Sequence, residues 1–214
     1  MTKIYCDTSD INTIKKCLKL YNIKGVTTNP SIMRADGVKN YKSHCLKILK
    51  ITKKNPLSVE VFADTPKEML NQAEKIAKWS KDLYVKIPIV NTKGKLMTPI
   101  IKKLNNSNVK INVTAVFTLS QIKKIKKAIN KKTPTIISIF CGRIADNGND
   151  PEILVKKSVK MFKNFKNVKI LWASTREAYN YHQAKRTGCH IITMGPKFIE
   201  KLYAKRIALE KFSI

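Results

Sequence analysis

One lysine of this sequence lies inside an apolar run, "YVKIPIV" at residues 84–90. Burial disfavours the charged form of an amine, and a neutral amine can attack a carbonyl carbon to form a Schiff base. The pattern therefore predicts that Lys86 is a nucleophile. Two structural alternatives are a snorkelling Lys86 side chain and a buried ion pair of Lys86 with Glu60 or Asp7.

Single polar residues also interrupt or follow other β-branched runs of the chain. They are Asp7, Asn29, Glu60, Asn112, Thr114, Ser138, Arg143, Ser174 and Arg176. Carboxylates can transfer protons, and amides can hold hydroxyl groups without adding charge. Forked arginine donors, and the free N–H groups of a helix beginning at Ser174, would suit a phosphate. With Lys86 at the centre, these residue types predict a site for a phosphorylated sugar.

Eight short runs rich in β-branched residues predict the strands that position these side chains. They are KIYCD, GVTTN, LSVEVF, LYVKIP, KINVTAV, TIISIF, VKILWAS and HIITM. Helix-start chemistry lies between them, with Asn29 before Pro30, Thr65 before Pro66, Thr118 with Gln121, Asp150 before Pro151, and Ser174 with Glu177. Eight buried strands, each followed by a helix, predict an α/β fold, an all-parallel eight-stranded (β/α)8 TIM barrel. An open doubly wound sheet is the alternative, disfavoured because no GxGxxG turn follows the first strand.

The predicted barrel is a single domain over residues 1–214, and it indicates where the chemistry lies. Active sites of such barrels form at the carboxyl ends of the strands. The polar residues named above lie late in, or just beyond, seven successive predicted strands. We therefore expect them to meet at one end of the barrel.

The formal charge of +29 and the pI of about 10.0 raise the question of an anionic partner. Lysine supplies nearly all of the positive charge, and segments such as QIKKIKKAINKK place apolar residues at helical spacing among the lysines. This pattern predicts amphipathic helices with a solvated basic face. Zinc-finger spacing, basic-zipper heptads and aromatic RNP-like strands are absent from the sequence. We therefore expect no specific nucleic-acid partner, and only weak binding to polyanions at low salt.

The amino terminus and the cysteines indicate where in the cell the protein lies and whether it binds a metal ion. The start, MTKIYCDTSD, has no charged leader followed by an apolar stretch, and no window approaches the roughly 18 apolar residues of a membrane span. We expect a soluble, cytoplasmic protein with no membrane partner. The five cysteines are scattered without a CxxC pair, so reduced thiols and no metal site are expected.

Seven motifs, in order along nearly the whole chain, resemble the transaldolase family, particularly its short members, which include fructose-6-phosphate aldolases. The motifs are DTSD (7–10), GVTTNPSI (25–32), EVFA (60–63), VKIP (85–88), NVTAVF (112–117), ISIFCGR (137–143) and WASTRE (172–177). The resemblance implies a class I transaldolase that moves a dihydroxyacetone unit from a ketose phosphate, sedoheptulose 7-phosphate or fructose 6-phosphate, to an aldose phosphate. It also implies sugar-phosphate substrates, no metal or organic cofactor, and a homo-oligomer, since short members are often ring-like decamers.

The resemblance implies a role for each matched residue. Lys86 would form the Schiff base, Glu60 would act through a water as acid and base, and Asp7 would take the proton during C–C cleavage. The intermediate or the catalytic water would be positioned by Asn29, Asn112, Thr114 and Ser138. The phosphate would be held by Arg143, Ser174 and Arg176.

Two positions separate a transferase from an aldolase within the resemblance. Family members that release free dihydroxyacetone tend to carry Gln where this chain has Glu60, and Tyr where it has Phe140. A phenol could hold the water that attacks the Schiff base, whereas a phenyl ring cannot donate a hydrogen bond. Transaldolase is therefore the predicted function. A fructose-6-phosphate aldolase and a noncatalytic basic protein that binds nucleic acid are the alternatives.

Two segments depart from the resemblance. Residues 89–110 are longer than expected of short members, which bears on the loop over the barrel mouth and on acceptor choice. The ITMGP segment at 192–196 differs from the ending expected after the last strand.

Overall fold

Eight strands form the centre of the molecule in the computed structural model, which describes residues 1–204 and residue 211. The strands are β1 (Lys3–Asp7), β2 (Val26–Thr27), β3 (Leu57–Glu60), β4 (Leu83–Pro88), β5 (Ile111–Val116), β6 (Thr135–Phe140), β7 (Val168–Ala173) and β8 (Ile191–Met194). Each strand pairs in parallel with the next along the chain, and β8 pairs with β1 to close the barrel. The predicted all-parallel (β/α)8 TIM barrel is confirmed. The single domain predicted over residues 1–214 includes residues 205–210 and 212–214, which lie outside the described residues.

Helices surround the barrel and connect its strands. They are α1 (Ile11–Tyr21), α2 (Pro30–Ala35), α3 (Tyr41–Thr52), α4 (Pro66–Ala77), α5 (Thr98–Asn106), α6 (Leu119–Ala128), α7 (Cys141–Asp146), α8 (Pro151–Met161), α9 (Asn180–Arg186) and α10 (Pro196–Tyr203). The short helices α2 and α7 are additions that follow β2 and β6 and precede α3 and α8. Within the described residues, no helix combines the length and the apolar character that crossing a membrane requires.

Hydrogen bonds in the first turn confirm four of the predicted helix starts. The capping side chains, each of which accepts a backbone N–H, are those of Asn29, Thr65, Thr118 and Asp150. In α6 the Gln121 side chain also accepts a hydrogen bond from the Thr118 backbone N–H, so a full capping box is present. Such caps contribute about 1 kcal/mol each and fix where a helix leaves the barrel rim.

The predicted helix start at Ser174 is wrong. Residues 174–179 are not helical, and α9 begins only at Asn180. Ser174 has a φ of 62°, in the left-handed region, whereas an N-cap residue needs extended backbone. The Asn180 side chain instead accepts hydrogen bonds from the backbone N–H groups of Arg176 (2.8 Å) and Glu177 (3.3 Å). Asn180 Oδ1 therefore accepts the N–H groups that were predicted to lie free at the start of a helix.

Two strands are shorter by two or more residues than the sequence runs that predict them. β2 covers only Val26–Thr27, because the chain then turns into the cap at Asn29. β3 ends at Glu60, and the N–H groups of Phe62 and Ala63 donate to the side chain of Gln72. Local side-chain hydrogen bonds thus end these strands before their apolar runs end.

Different apolar clusters fill the two sides of the barrel wall. The interior cluster contains Tyr5, Ile136, Leu171, Ala173 and Ile191, with Tyr84 and Phe140 packed against it. A Cβ atom at Gly25 would lie 2.6 Å from the Tyr5 ring, so the glycine leaves the space that this ring fills. A larger cluster packs the outward strand faces against the helices. Because apolar side chains fill the amino end of the interior, the polar residues further along the strands lie at its carboxyl end.

The long segment at 89–110 folds into a hairpin, residues 89–97, followed by α5. Val90 and Leu96 form an antiparallel bridge in the hairpin. The Asp64 carboxylate accepts hydrogen bonds from the backbone N–H of Thr92 (2.8 Å) and from its hydroxyl (2.7 Å). These bonds lower the pKa of Asp64 and attach the hairpin to the β3–α4 connection.

Candidate active site

A cavity of about 300 Å³ opens at the carboxyl ends of the barrel strands. It is lined by every predicted site residue except Glu60, namely Asp7, Asn29, Lys86, Asn112, Thr114, Ser138, Phe140, Arg143, Ser174 and Arg176. Glu60 contacts Lys86 at the edge of this group. The structure therefore brings together residues that lie up to 169 positions apart, from Asp7 to Arg176.

Lys86 is buried at the base of the cavity, with 6% of its surface exposed. Its ammonium group lies 2.9 Å from Glu60 Oε2 and donates a hydrogen bond of 2.8 Å to the Thr28 carbonyl. Glu60 and Lys86 are direct partners in the β3–β4 register, so both side chains project from the same side of the sheet. The ion pair with Glu60, which was one structural alternative for Lys86, is therefore present. A carboxylate at this distance can also accept the proton that an amine must lose before it attacks a carbonyl.

Asp7 lies at the end of β1, beside this pair. Burial raises the pKa of the Asp7 carboxyl, and the nearby Lys86 and the Thr27 hydroxyl only partly oppose that effect. The Thr27 hydroxyl donates to Asp7 Oδ1 at 2.5 Å and lies 2.6 Å from the Thr193 hydroxyl. Because Thr27 donates to the carboxylate, Thr193 must donate to Thr27, so two hydroxyls in series orient Asp7.

Sequence reasoning missed Thr27 and Thr193, although both line the cavity and both are buried. The available signal was the alternation of strand side chains. Thr27 pairs with Asp7 in the β1–β2 register, and Thr193 in β8 pairs with Tyr5, whose ring packs inside the barrel. Both hydroxyls could therefore have been placed in the interior once the register was known.

Buried hydrogen-bonding groups form the wall on the β5 and β6 side. Asn112 Nδ2 donates to Ser58 Oγ at 3.1 Å, and Ser138 Oγ donates to Asn112 Oδ1 at 2.7 Å. The buried Thr114 hydroxyl has no partner among the described residues. Next to it, Ala115 has a φ of 55° within an irregular stretch of the β5–β6 register. The β5 strand changes direction here, and the Thr114 hydroxyl can therefore face a ligand rather than another strand.

Two arginines lie at the other side of the cavity, near the ends of β6 and β7. Arg143 lies over the Phe140 ring, 5.5 Å from its centroid. Arg176 binds Asp146 through Nε (2.9 Å) and Nη2 (2.6 Å), and this contact lowers the pKa of the Asp146 carboxyl. Nη1 of Arg176 takes no part in these bonds. Asp146 was also missed, because nothing local in the sequence shows which arginine it faces.

Close backbone packing holds this end of the cavity together. A Cβ atom at Gly142, in the first turn of α7, would lie 1.6 Å from the Ser174 carbonyl oxygen. Only glycine can therefore fit between α7 and the segment that follows β7. The contact keeps Arg143, Ser174 and Arg176 on one side of the cavity, where the predicted phosphate site lies.

No group of three or more His, Cys, Asp or Glu side chains suited to a metal ion is found within the described residues. The five cysteines are free and buried. The site instead combines a buried amine, the Asp7 carboxyl group in the cavity, the Glu60 carboxyl group beside the amine, neutral hydrogen-bonding side chains and two guanidinium groups. This set can form an imine, transfer protons and bind an anion.

Solved structures of other proteins share the fold at low sequence identity. A crystal structure of 2,3-dimethylmalate lyase has a TM-score of 0.62 and 12% identity, covering 99% of this chain and 82% of that chain. Dihydrodipicolinate synthase from Rhodopseudomonas palustris has a TM-score of 0.51 and 11% identity, covering 94% and 73%. These similarities show the barrel fold alone.

Sequence comparisons are more specific. A protein from Dehalococcoides mccartyi named "Probable transaldolase" is 34% identical over 201 residues, covering 94% of this chain and 89% of the relative. A Streptococcus agalactiae protein of the same name is 34% identical, with coverage of 94% and 89%. "Probable transaldolase 2" of Listeria monocytogenes is 32% identical, with coverage of 94% and 88%. The family model described as Transaldolase/Fructose-6-phosphate aldolase matches residues 4–211. The chain therefore belongs to the transaldolase/fructose-6-phosphate aldolase family.

Proposed function

We propose that this protein is a class I transaldolase, which transfers a dihydroxyacetone unit from a ketose phosphate to an aldose phosphate through a Schiff base on Lys86. The observation that carries the proposal is the position of Lys86. It is the one buried lysine among the described residues, and it shares a cavity with Asp7 and two arginines. Relatives named as probable transaldolases support the choice of reaction.

The first stage joins the sugar to the protein. Glu60, 2.9 Å from Lys86 Nζ, accepts a proton from the ammonium group. The neutral amine attacks C2 of the ketose phosphate, and a proton passes to the C2 oxygen to give a carbinolamine. Glu60 then returns a proton through a water, the hydroxyl leaves as water, and the protonated Schiff base remains.

The second stage breaks the bond between C3 and C4 of the sugar. Asp7 takes the proton of the C4 hydroxyl, C4 becomes an aldehyde, and the electron pair of the broken bond passes toward the iminium nitrogen to form an enamine. A carboxyl group whose pKa is raised is suited to hold this proton and then return it. The aldose phosphate formed by cleavage leaves the cavity, and a second aldose phosphate binds as the acceptor. The enamine then attacks the carbonyl carbon of the acceptor, Asp7 protonates the new hydroxyl, and hydrolysis of the Schiff base frees Lys86.

Neutral groups of the cavity hold the sugar chain during these stages. Asn29 uses Oδ1 to cap α2, which leaves its amide nitrogen for a sugar hydroxyl. Asn112 and Ser138 are already joined to each other, so their orientation is fixed before a ligand binds. The Thr114 hydroxyl, which has no partner among the described residues, is placed to hold the catalytic water. The phosphate lies against Arg143, Ser174 and Arg176.

The second candidate function is a fructose-6-phosphate aldolase, because the family model covers both activities. Phe140 favours transfer over release. Its ring packs edge-on against Phe117, with centroids 5.6 Å apart, and it offers no donor to a water near the Schiff base. The enamine therefore persists until an aldehyde binds.

A single assay tests the proposed function. Purified protein with fructose 6-phosphate and erythrose 4-phosphate should produce sedoheptulose 7-phosphate. Without the acceptor, release of dihydroxyacetone should be slow. Free dihydroxyacetone formed as fast as sedoheptulose 7-phosphate would reject the transferase in favour of the aldolase, and the absence of both products would reject the proposed chemistry.

We predict that Arg143 and Arg176 act on the phosphate and not on the sugar. Arg143→Ala or Arg176→Ala should reduce kcat/KM for fructose 6-phosphate about 10- to 150-fold and should affect unphosphorylated fructose less. This loss corresponds to about 1.5–3 kcal/mol, the scale of a hydrogen bond to a charged group. Steady-state kinetics with both donors measures the difference. Lys124→Ala and Lys127→Ala, on the exposed side of α6, are the controls. Equal losses in the α6 variants would assign the effect to overall charge.

We predict that Phe140→Tyr changes the fate of the enamine. A phenol at this position should hold a water near the Schiff base, so release of dihydroxyacetone should rise several-fold relative to transfer, alone or with Glu60→Gln. The ratio of the two products, measured with one ketose donor, gives the result. Phe117→Tyr is the matched control on the neighbouring ring. An unchanged ratio in Phe140→Tyr would remove Phe140 from the account of specificity.

The remaining expectations are a homo-oligomer, a cytoplasmic location and the absence of a specific nucleic-acid partner. Sedimentation velocity of the purified protein would give the oligomeric state. Each stays a prediction.

A further inference from the structure

The charge of this protein is unevenly divided between the two ends of the barrel. The helix-to-strand connections at the amino end are residues 22–25, 53–56, 78–82, 107–110, 129–134, 162–167 and 187–190; they contain ten lysines and one acidic residue, Asp82. The strand-to-helix connections at the active-site end are residues 8–10, 28–29, 61–65, 89–97, 117–118, 174–179 and 195; they contain three basic and three acidic residues. Among the connections, the excess positive charge therefore lies at the end opposite the active site.

Three neighbouring connections make the most basic part of this end. They lead into β5, β6 and β7, which are adjacent in the barrel, and they comprise residues 107–110, 129–134 and 162–167. We call these residues the basic platform. It contains Lys110, Lys131, Lys132, Lys163 and Lys166 and no acidic residue. The last turns of the preceding helices add Lys103, Lys126, Lys127 and Lys160.

Hydrogen bonds join the connection 129–134 to 162–167 and to the end of α5, the helix that leads into 107–110. Asn167 Nδ2 donates to the carbonyl groups of Asn130 (3.0 Å) and Thr133 (2.7 Å), which links 162–167 to 129–134. Asn130 Nδ2 and the Thr133 hydroxyl both donate to the Asn105 carbonyl, at 3.2 and 2.7 Å, which links 129–134 to the end of α5. The lysines therefore project from a backbone that is held in place before any partner binds, and less conformational entropy is lost on binding.

The side chains of the platform indicate what it can bind. Lys131, Lys132, Lys163 and Lys166 are exposed. The Phe165 ring lies 5.4 Å from Lys131 Nζ and 5.8 Å from Lys126 Nζ, so it packs beside the lysine charges. None of the large exposed apolar side chains belongs to the platform. At this surface a membrane would gain charge attraction alone, with no apolar insertion to add to it.

We propose that the basic platform binds the phosphodiester backbone of nucleic acid, without sequence preference and independently of the active site. Lysines are compact point charges that pair with phosphates, whereas the planar fork of arginine is better suited to bidentate contacts with base edges. A group of lysines on a fixed backbone, with no acidic residue within the platform, complements a row of phosphates. The proposal agrees with the expected absence of a specific nucleic-acid partner, and it locates nonspecific binding on the basic platform.

Binding to labelled 20-base-pair DNA duplexes of two unrelated sequences, and to single-stranded RNA, tests the proposal across a range of salt concentrations. Both duplexes should bind equally at low salt, with affinity that falls steeply as salt rises. The single-stranded RNA should bind as well, because the platform is proposed to contact the phosphodiester backbone that both nucleic acids share. Saturating fructose 6-phosphate should not displace the DNA, because the two sites lie at opposite ends of the barrel.

Two matched variants locate the site. Replacing Lys131, Lys132, Lys163 and Lys166 with Ala should weaken DNA binding about tenfold or more. It should also make the slope of log K against log salt shallower by up to about 3.6, since each of the four phosphate contacts contributes about 0.9. Replacing Lys39, Lys67, Lys93 and Lys95, four exposed lysines at or near the active-site end, removes the same charge and should change binding less than about twofold. Sugar turnover should be unchanged in the platform variant.

Three results would overturn the proposal. Equal losses in the two variants would mean that binding follows net charge and not the platform. Displacement of DNA by the sugar phosphate would place the anion site in the catalytic cavity. Binding to phosphatidylserine vesicles without binding to either nucleic acid would assign the surface to a membrane.

Discussion

Replacing Lys86 with Met should reduce kcat for transfer from fructose 6-phosphate at least about 10⁴-fold, because no other step can proceed without the imine. Methionine keeps a flexible apolar chain in the buried position but has no amine. Lys95→Met, at an exposed position in the hairpin, should retain activity close to wild type and controls for the loss of a lysine as such. Steady-state turnover of the two variants provides the comparison.

The folded state of the Lys86→Met protein must be checked at the same time. Removing the ammonium group leaves Glu60, whose side chain is 19% exposed, without its ion-pair partner. We expect the free energy of unfolding to fall by about 1–3 kcal/mol, less than the stability of a typical domain. Circular dichroism and denaturant unfolding measure this change. A folded variant with turnover within tenfold of wild type would mean that another amine is the nucleophile.

Asp7→Asn should separate formation of the Schiff base from cleavage of the sugar. Asparagine keeps an oxygen that accepts the Thr27 hydroxyl but cannot take the proton of the C4 hydroxyl. Overall transfer should fall about 10²–10⁴-fold, the range for loss of a general base, while reduction with borohydride still traps a sugar adduct. A variant that neither traps nor turns over would place Asp7 in the first stage instead.

The same substitution should change stability in a pH-dependent way. Burial raises the pKa of Asp7 above its ordinary value of 3.8, so the folded protein binds this proton more readily than the unfolded chain does. The ionised carboxylate therefore lowers stability, and this cost develops as pH rises from 3.8 through the raised pKa. Asp7→Asn removes the cost, so it should stabilise the protein more at pH 8 than at pH 4.

Asp64→Asn provides a control of opposite sign. Hydrogen bonds from Thr92 lower the pKa of Asp64, so its stabilising contribution is present above the ordinary value of 3.8 and is lost as pH falls through the lowered pKa. Asp64→Asn should therefore destabilise the protein at pH 8 and have less effect at low pH. Thermal unfolding of both variants across pH measures the two trends. The same trend in both would contradict the assignment of the Asp7 shift to burial.

The fold could be predicted because its signals are local. Eight β-branched runs separated by helix starts predict a parallel barrel without knowledge of any long-range contact, and four side-chain caps were placed correctly. Ser174 shows the limit of this reasoning. The pattern of Ser174 with Glu177 is that of a helix start, but Asn180 takes the N–H groups and the backbone at Ser174 is left-handed. A competing side chain a few residues later was enough to reverse the local preference.

The cavity could be predicted as a set of residues but not as a geometry. The barrel rule places Asp7, Lys86 and Asn112 at one end, and the structure brings them together there. The hydroxyl series from Thr193 through Thr27 to Asp7 depends on the register across the closure of β8 on β1. The contact of Asp146 with Arg176 depends on how α7 packs beside the end of β7. Both are long-range consequences of barrel closure, which no local pattern encodes.

The most direct test of the central claim is to locate the covalent intermediate. Borohydride added to wild-type protein with fructose 6-phosphate should reduce a Schiff base to a stable secondary amine, and peptide mass spectrometry should find the dihydroxyacetone-derived group on Lys86 alone. The described part of the chain offers many exposed lysines, so the method has ample opportunity to find a different site. An adduct confined to the peptide that contains Lys86, and absent from Lys86→Met, is the predicted result. An adduct that persists in Lys86→Met, or one found on another lysine, would contradict it.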